Sequence, residues 1–326
     1  MTERLSVKRD ARIDTMRTLG TLLVILAHVA TPTVLQKIRS FDVVMLVFIS
    51  GLSFSQKKDV SYGTYIWQRV KKLVLPTYVV ITCLFAGIFV ACSLFGRAQL
   101  FSGNDILKSY VFADGIGYIW IVKVYMLIAA VSPLVYRLAK QIQDDGIFCL
   151  LIAGVYGVYH VLMKLLGHNA FLYQFVFQIF PYVLIACIGM RAKTNLTFRW
   201  KALIVAAVIT VTDVVVRGEF NFESFKYPPQ YNYLAYGLFA AMVLYQALPN
   251  YANKGILWFS KNSFTVYLMH IVFLLATNFV GDMKPFGFVK IWYIQFAVVV
   301  ALSVAATWLI NKAGTMLPGK KGTCSQ

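Results

Sequence analysis

The sequence predicts an all-α, polytopic membrane protein with about ten transmembrane helices and both termini in the cytoplasm. Of its 326 residues, 59% are hydrophobic and only 13% are charged. That balance excludes an ordinary soluble domain of this size. The apolar residues are grouped in ten runs separated by short loops, and each run is predicted to form one helix across the bilayer.

The ten runs follow one another without an internal repeat or a low-complexity segment. They cover residues 15–34, 41–56, 73–95, 116–139, 147–166, 171–190, 200–216, 232–248, 262–280 and 288–310. The second and the eighth are short for a full crossing. We therefore expect a cytoplasmic arm at 1–14, one transmembrane domain at 15–310 and a short cytoplasmic tail at 311–326.

The basic residues predict the orientation. The net charge of +18 invites a nucleic-acid partner, but the basic side chains lie in short loops between apolar runs. The N-terminal arm, the even-numbered loops and the tail hold 21 of the 31 Lys and Arg, whereas the odd-numbered loops hold 9. Lys and Arg are enriched on the cytoplasmic side of membrane proteins. We therefore predict cytoplasmic termini and exclude nucleic acid.

Two further features set the class of protein. The five cysteines show neither metal-ligand nor disulfide-framework spacing, and four lie inside apolar runs, so they are predicted to be small core residues. The first apolar run is long and is followed by no small-residue cleavage site, so it is expected to stay as the first span. These features indicate a multi-pass protein of the cell membrane.

One ionisable stretch opens the first run. Arg17 and His28 are eleven residues apart, almost three helical turns, so both lie on one helix face with a rise of about 16 Å between them. Ionisable side chains inside a membrane are costly and suggest function. The alternative is that His28 is a buried histidine bonded to a neighbouring carbonyl. Asp14 either orients Arg17 as an i,i+3 pair or forms an ordinary surface pair.

Four motifs follow one another along the chain. They are Asp14-x-x-Arg17-x10-His28, then Phe48-Ile-Ser50-Gly51-Leu52, then Arg69-x-x-Lys72-Leu-Val-Leu-Pro76, and last Asn262-Ser263-Phe-Thr-Val-Tyr267-Leu-Met-His270. Trp120-x-x-Lys123-x-Tyr125, followed by Ser132-Pro133, adds weaker support. This ordered set resembles the acyltransferase-3 family of integral-membrane O-acyltransferases over nearly the whole chain.

The resemblance implies transfer of an acetyl or other short acyl group from acetyl-CoA to a hydroxyl, without a metal. The implied acceptor is a cell-envelope or exported glycan, or a lipid-linked sugar. Two positions depart from the family's pattern. Lys72 stands where a second arginine is frequent, and Leu46-Val47 stands where many members have a phenylalanine pair. Some members carry a fused C-terminal esterase-like domain, and we expect none here. Lysine lacks the bidentate fork of arginine, so Arg69 is the better candidate for a phosphate contact.

Acyl transfer needs a base for the acceptor hydroxyl, and positive charge or hydrogen-bond donors for the oxyanion. His28 suits the base role, because imidazole titrates near neutral pH. Arg17, Arg69 and Lys72 can hold the phosphates of coenzyme A. Ser50-Gly51 would let the backbone approach the donor closely. A Ser50 nucleophile is the alternative, but no Gly-x-Ser-x-Gly elbow surrounds it.

Candidates for the acceptor site are Lys123, Asp213, Trp120, Tyr267 and His270. Tyr267 and His270 belong to the motif that opens the ninth span, whereas Trp120, Lys123 and Asp213 lie near the opposite surface. Alternatives stay open for three of them. Lys123 can snorkel or pair with Asp213, Asp213 can form an internal pair with Arg217, and His270 can tie its helix to the bundle. The segments 96–115 and 218–231 are the longest loops on this side.

Two other functional classes compete. A transporter or flippase of a lipid-linked sugar would also use intramembrane charges, but it predicts inverted repeats and broken helices in matching positions. A non-catalytic scaffold would not explain why Arg17 and His28 share a face. Membrane lipids are expected partners. The oligomeric state stays open, with a homodimer as one alternative, and the sequence does not name the acceptor.

Overall fold

The computed structural model describes residues 9–54, 60–113 and 115–316, and this part of the chain is helical without a strand. The predicted arm and tail therefore lie partly outside the described residues. In chain order the α-helices are α1 Ala11–Ala27, α2 Thr33–Arg39, α3 Asp42–Ser53, α4 Tyr62–Leu94, α5 Gly103–Tyr110, α6 Trp120–Gln141, α7 Asp145–Leu166, α8 Ala170–Leu172, α9 Pro181–Thr194, α10 Leu196–Arg217, α11 Tyr231–Ala247, α12 Lys254–Gly281 and α13 Trp292–Met316.

Six helical stretches within the described ranges are long and apolar enough to cross a membrane. They are α4, α6, α7, the stretch Ala170–Thr194, α12 and Trp292–Gly314 of α13. The prediction of a helical membrane protein is thereby confirmed. The other four predicted spans coincide with α1, α3, α10 and α11, of 17, 12, 22 and 17 residues. The short helices α2 and α5 were not predicted.

The first predicted span, 15–34, is wrong as one continuous helix. Helix α1 ends at Ala27, His28 is its C-cap, and α2 begins only at Thr33 after the cap residue Pro32. Proline has no N–H to donate and disfavours a helical conformation in the residue before it. The break therefore places His28 at the end of a helix.

Helix α3 lies at the centre of the bundle, between α1, α9 and α11. Its backbone touches that of α9, because Gly51 and Gly189 face each other across the contact. A Cβ on Gly51 would lie 2.2 Å from the carbonyl oxygen of Ala186, and one on Gly189 would lie 2.4 Å from that of Phe48. Small residues allow this approach in membrane helices. The twelve residues of α3 extend over about 18 Å.

The sixth predicted span, 171–190, is also interrupted. A π-helical turn, Tyr173–Phe177, separates α8 from α9. The Nζ atom of Lys123 on α6 donates to the carbonyl of Gln174 in this turn at 3.2 Å, and it lies 5.1 Å from the ring centre of Phe175. Non-helical backbone inside a membrane protein is tolerated where its polar groups find partners in the protein.

Candidate functional site

A cavity of about 440 Å³ lies among α1, α3, α4, α6 and α12. Its two ends differ in chemistry. We call one end the cationic end, lined by Arg9, Arg17, Arg69, Lys72 and Lys261. We call the other the histidine end, lined by His28, Asp42, Trp120, Lys226 and Tyr227.

The register of α1 against α3 separates the two ends. Arg17 donates to Ser53 at the last residue of α3 at 3.2 Å. From that point α1 runs to His28 and α3 runs back to Asp42, each over eleven residues, or about 16 Å of rise. The two helices are antiparallel, so His28 and Asp42 reach the same end of the cavity.

One face of α1 forms a wall of the cavity. Arg17, Thr21, Val24 and His28 all line it, at the spacing of one helix face. The eleven-residue spacing predicted this shared face. The break after Ala27 leaves that geometry intact, because His28 itself continues in helical backbone angles as the C-cap.

The guanidinium of Arg17 is held by hydroxyl groups more closely than by Asp14. It donates to Ser53 at 3.2 Å and to Ser260 at 3.3 Å, whereas the carboxylate of Asp14 is 3.9 Å away. Asp14 accepts instead from Arg9, at 2.5 and 2.6 Å, and from Ser260 at 2.6 Å. The predicted i,i+3 pair is therefore secondary, and the carboxylate is neutralised by a residue of the N-terminal arm.

Five basic side chains line the cationic end, and no carboxylate among the described residues lines it with them. Arg69 and Lys72 project from the first part of α4, where the sequence placed the phosphate contacts. Sequence reasoning missed Arg9 and Lys261. The available signals were the basic arm before Asp14 and the position of Lys261 directly before the Asn262 motif.

His28 is hydrogen-bonded to a second histidine. The Nε2 atom of His270 on α12 lies 3.3 Å from Nδ1 of His28, and Nδ1 of His270 contacts the carbonyl of Tyr267. A carbonyl only accepts, so Nδ1 of a neutral His270 carries the hydrogen and its Nε2 accepts. His28 then donates from Nδ1, and its Nε2 is unprotonated. His28 also has a hydrogen bond with the backbone of Val24, which is the neighbouring-carbonyl contact given as the alternative for it. His270 does tie α12 to the bundle, and it does so through His28.

Ser50 and Gly51 were both predicted to lie beside the donor, but they face two different surfaces. Ser50 lines the cavity, and its hydroxyl donates to the carbonyl of Leu46 at 2.9 Å. Gly51 does not line the cavity and faces α9 instead, as its contact with Ala186 shows. The close approach that this glycine permits is between two helices, which corrects its assignment to the donor.

The histidine end contains a buried group of charges. Asp42 accepts from Arg39 at 2.8 Å and from the backbone of Val43 at 2.6 Å. Lys226 lies 3.8 Å from Asp42 and 3.7 Å from Glu223. Lys226 and the neighbouring Tyr227 belong to the loop after α10, which the sequence analysis placed on the acceptor side. Neither residue was singled out there as a ligand.

The five predicted acceptor residues differ in their position with respect to this end, and His270 reaches it through its bond to His28. Trp120 and Tyr227 line it, with ring centres 5.4 Å apart. Tyr267 also lines the cavity, and its hydroxyl contacts the carbonyl of Tyr118. Lys123 lies outside the lining and contacts the π-helical turn.

Asp213 also lies outside the lining. It accepts from Arg217 Nε at 2.7 Å and from Asn232 at 3.2 Å. These contacts favour the internal pair among the alternatives given for it, and an acceptor role stays a prediction. Within the described ranges, no three His, Cys, Asp or Glu side chains are grouped as a metal site.

The fold and the cavity define a helical membrane protein with a cavity lined by both charged and apolar side chains. A family model described as an acyltransferase domain matches residues 10–312. The chain therefore belongs to the acyltransferase-3 family, and it is a membrane acyltransferase. Comparison with curated proteins finds no match. Comparison with solved structures finds none either.

Proposed function

We propose that the protein transfers an acetyl or other short acyl group from acyl-CoA to a hydroxyl of a cell-envelope or exported glycan. The observation that supports this most directly is the shape of the cavity. Its cationic end and its histidine lie about 16 Å apart on one helix face. The end that suits a polyanion is thus separated from the group that suits proton transfer, as a long acyl-CoA requires.

The donor is proposed to bind with its phosphates at the cationic end. Arg17, Arg69 and Lys72 line that end together with Arg9 and Lys261. Charge-assisted bonds to phosphate are among the stronger polar contacts, and arginine makes them with two donors. The thin arm of the coenzyme then follows the face of α1 towards His28, where the thioester meets the acceptor.

His28 is proposed to act first as base and then as acid. Its Nε2 lone pair takes the proton of the acceptor hydroxyl while that oxygen attacks the thioester carbon. A C–O bond forms, the C–S bond breaks, and the leaving thiolate takes the proton from His28. The products are the ester and free coenzyme A, so one imidazole completes the cycle. Direct transfer needs no acyl group on Ser50.

We further propose that the chain crosses the cell membrane ten times and that both termini lie in the cytoplasm. Arg9 belongs to the N-terminal arm and lines the cationic end, so this orientation places the donor at the cytoplasmic side. The histidine end then opens towards the opposite leaflet, and the acyl group crosses inside the cavity. The loops predicted to be cytoplasmic hold most of the Lys and Arg residues. By the positive-inside rule, this excess supports the proposed orientation.

The test uses membrane vesicles from the cells that make the protein, which contain their own envelope glycans. They are incubated with acetyl-CoA labelled in the acetyl group, and both free thiol and alkali-labile label in the glycan fraction are measured. His28→Ala is expected to lower kcat about 10²- to 10⁴-fold and to leave the KM for acetyl-CoA unchanged. Arg69→Ala is expected to raise that KM more than Lys72→Ala does.

The exposed His168 provides the matched control, and His168→Ala should behave as wild type. Normal turnover of a folded His28→Ala protein would contradict the base assignment. A transporter or flippase would leave the thioester intact. Wild-type vesicles that release no thiol in a protein-dependent way would therefore favour that alternative.

A further inference from the structure

We propose that the histidine end is a subsite for a neutral sugar, bound by Lys226 and Asp42 against the rings of Trp120 and Tyr227. This inference rests on the proposed acyl transfer. It adds the chemical class of the acceptor and the residues that recognise it.

Lys226 is a buried ammonium group that faces the cavity. Its side chain is 7% exposed and lines the histidine end. The distances to Asp42 and Glu223, 3.8 and 3.7 Å, exceed the range of a hydrogen bond to an ammonium nitrogen. The two carboxylates therefore balance its charge while its N–H donors can turn to a ligand oxygen.

The charge cluster around Lys226 is buried. Arg39 and Asp42 are 4% and 1% exposed. Nε of Arg39 and Oε2 of Glu223 are buried without a hydrogen-bond partner among the described residues, but these two residues do not line the cavity. Asp42 and Lys226 do line it, so they are the members of the cluster that can meet a ligand directly.

The balance of charge at this end favours a neutral acceptor. Arg39 and Lys226 contribute two positive charges, and Asp42 and Glu223 contribute two negative ones. An anionic acceptor would bring a third negative charge beside two carboxylates in a poorly solvated site. The cationic end has the opposite character, so each end of the cavity suits one of the two substrates.

The aromatic rings complete a site for a sugar ring. Trp120 and Tyr227 meet edge to face, with an interplanar angle of 79°, and they give the histidine end two apolar walls. Trp120 begins α6 two residues after Tyr118, whose ring centre is 4.9 Å from that of His28. A hydroxyl of a sugar held by Lys226 and Asp42 can thus reach Nε2 of His28.

The experiment follows the acceptor that the cells themselves supply. Cells producing wild type, Lys226→Gln or His28→Ala are fed labelled acetate. Their envelope is then separated into neutral sugars, anionic sugars and lipids, and alkali-labile acetyl is located by mass spectrometry. Hydrolysis of acetyl-CoA by the purified proteins is measured in parallel. Lys108→Gln, an exposed lysine of α5, is the matched control.

We expect protein-dependent acetyl esters in the neutral sugar fraction. Lys226→Gln should reduce them roughly 10- to 100-fold, the cost of one charge-assisted hydrogen bond, and should reduce them more than it reduces acetyl-CoA hydrolysis. Tyr227→Phe and Trp120→Leu test the same subsite without removing a buried charge, and both should lower ester formation more than hydrolysis.

Three results would overturn the inference. The first is protein-dependent esters found only on anionic sugars or only on lipids. The second is normal ester formation by Lys226→Gln. The third is normal ester formation by both aromatic variants. Absence of both esters and hydrolysis in wild type would instead overturn the acyl transfer on which the inference rests, and so the two failures are distinguishable.

Discussion

His270 accepts a hydrogen bond from the very side chain proposed as the base. Because its own Nδ1 is occupied by the carbonyl of Tyr267, its Nε2 is an acceptor for His28 at 3.3 Å. His28 is therefore held with its second nitrogen unprotonated. His270 therefore acts on the reaction through His28, and it is a positioning residue.

The first prediction concerns this pair. His270→Leu removes the acceptor, so both tautomers of His28 become populated, and kcat should fall several-fold at an unchanged KM for acetyl-CoA. His270→Gln offers an amide oxygen to His28 and should retain more activity. Initial rates measured across a pH series check this, since a loss of packing alone would not alter the shape of the profile.

A result in which His270→Leu and His270→Gln lose stability equally, with normal turnover per folded molecule, would contradict the prediction. It would assign His270 to packing alone. Thermal unfolding of both purified variants, measured alongside turnover, separates these outcomes.

At the scale of the element, α3 and α9 are in contact through Gly51 and Gly189. We predict that Gly51→Ala destabilises the protein by about 1–3 kcal/mol, because the new methyl group would lie 2.2 Å from the carbonyl of Ala186. The shift in thermal unfolding of the detergent-purified protein is the measurement. Gly87→Ala in α4 is the control, since nothing lies within 4 Å of its added Cβ.

Gly87→Ala should be neutral or slightly stabilising, because alanine is the better helix former. Equal unfolding temperatures for Gly51→Ala and wild type would show that α3 and α9 separate at little cost. The central place given to their contact would then be incorrect.

The N-terminus of α1 predicts a dependence of stability on pH. Asp10 caps α1 and accepts from Arg12 at 2.9 Å and from Tyr245 at 2.6 Å. Burial by itself raises its pKa, yet these hydrogen bonds hold the pKa of Asp10 below its ordinary value. Ionised Asp10 therefore stabilises the fold above its unfolded pKa of about 3.9, and this contribution is lost as the pH falls through the lower folded value.

Asp10→Asn keeps a capping acceptor and removes the charge. Relative to wild type it should lower the unfolding temperature at pH 7, and the difference should shrink as the pH falls below about 4. Thermal unfolding across a pH series is the measurement. A difference that stays constant down to pH 3 would show that the carboxylate is not the source of the effect.

At the scale of the whole molecule, the proposed direction of transfer depends on topology. Asn104 is exposed on α5, and Tyr251 is 72% exposed between α11 and α12. In a protein without its native cysteines, Asn104→Cys should react with a membrane-impermeant maleimide added to intact cells. Tyr251→Cys should react only after the membrane is opened.

The two cysteines are controls for each other, because each should be labelled under the condition that spares its partner. Labelling of Tyr251→Cys from outside, with protection of Asn104→Cys, would reverse the orientation. The cationic end would then face away from the cytoplasmic supply of acetyl-CoA, and the proposed route of the acyl group would fail.

The sequence by itself determined the class of protein, the positions of most of the helices and the shared face of Arg17 and His28. These properties are local, since hydrophobic length and helical spacing can be counted along a single segment. The cations of α4 were found in the same way, because Arg69 and Lys72 are three residues apart. The family resemblance depended on such short motifs, and the match over residues 10–312 confirms it.

Only the tertiary structure decided which groups meet. His28 and His270 are separated by 242 residues, and Asp42 meets Lys226 from a loop far along the chain. Composition and periodicity carry no information on such pairs. The same holds for Gly51, because only the packed helices show that its missing side chain admits the backbone of α9 rather than the donor. The packing of distant segments determines these partners, because a buried polar group needs a partner and only the folded structure brings one beside it.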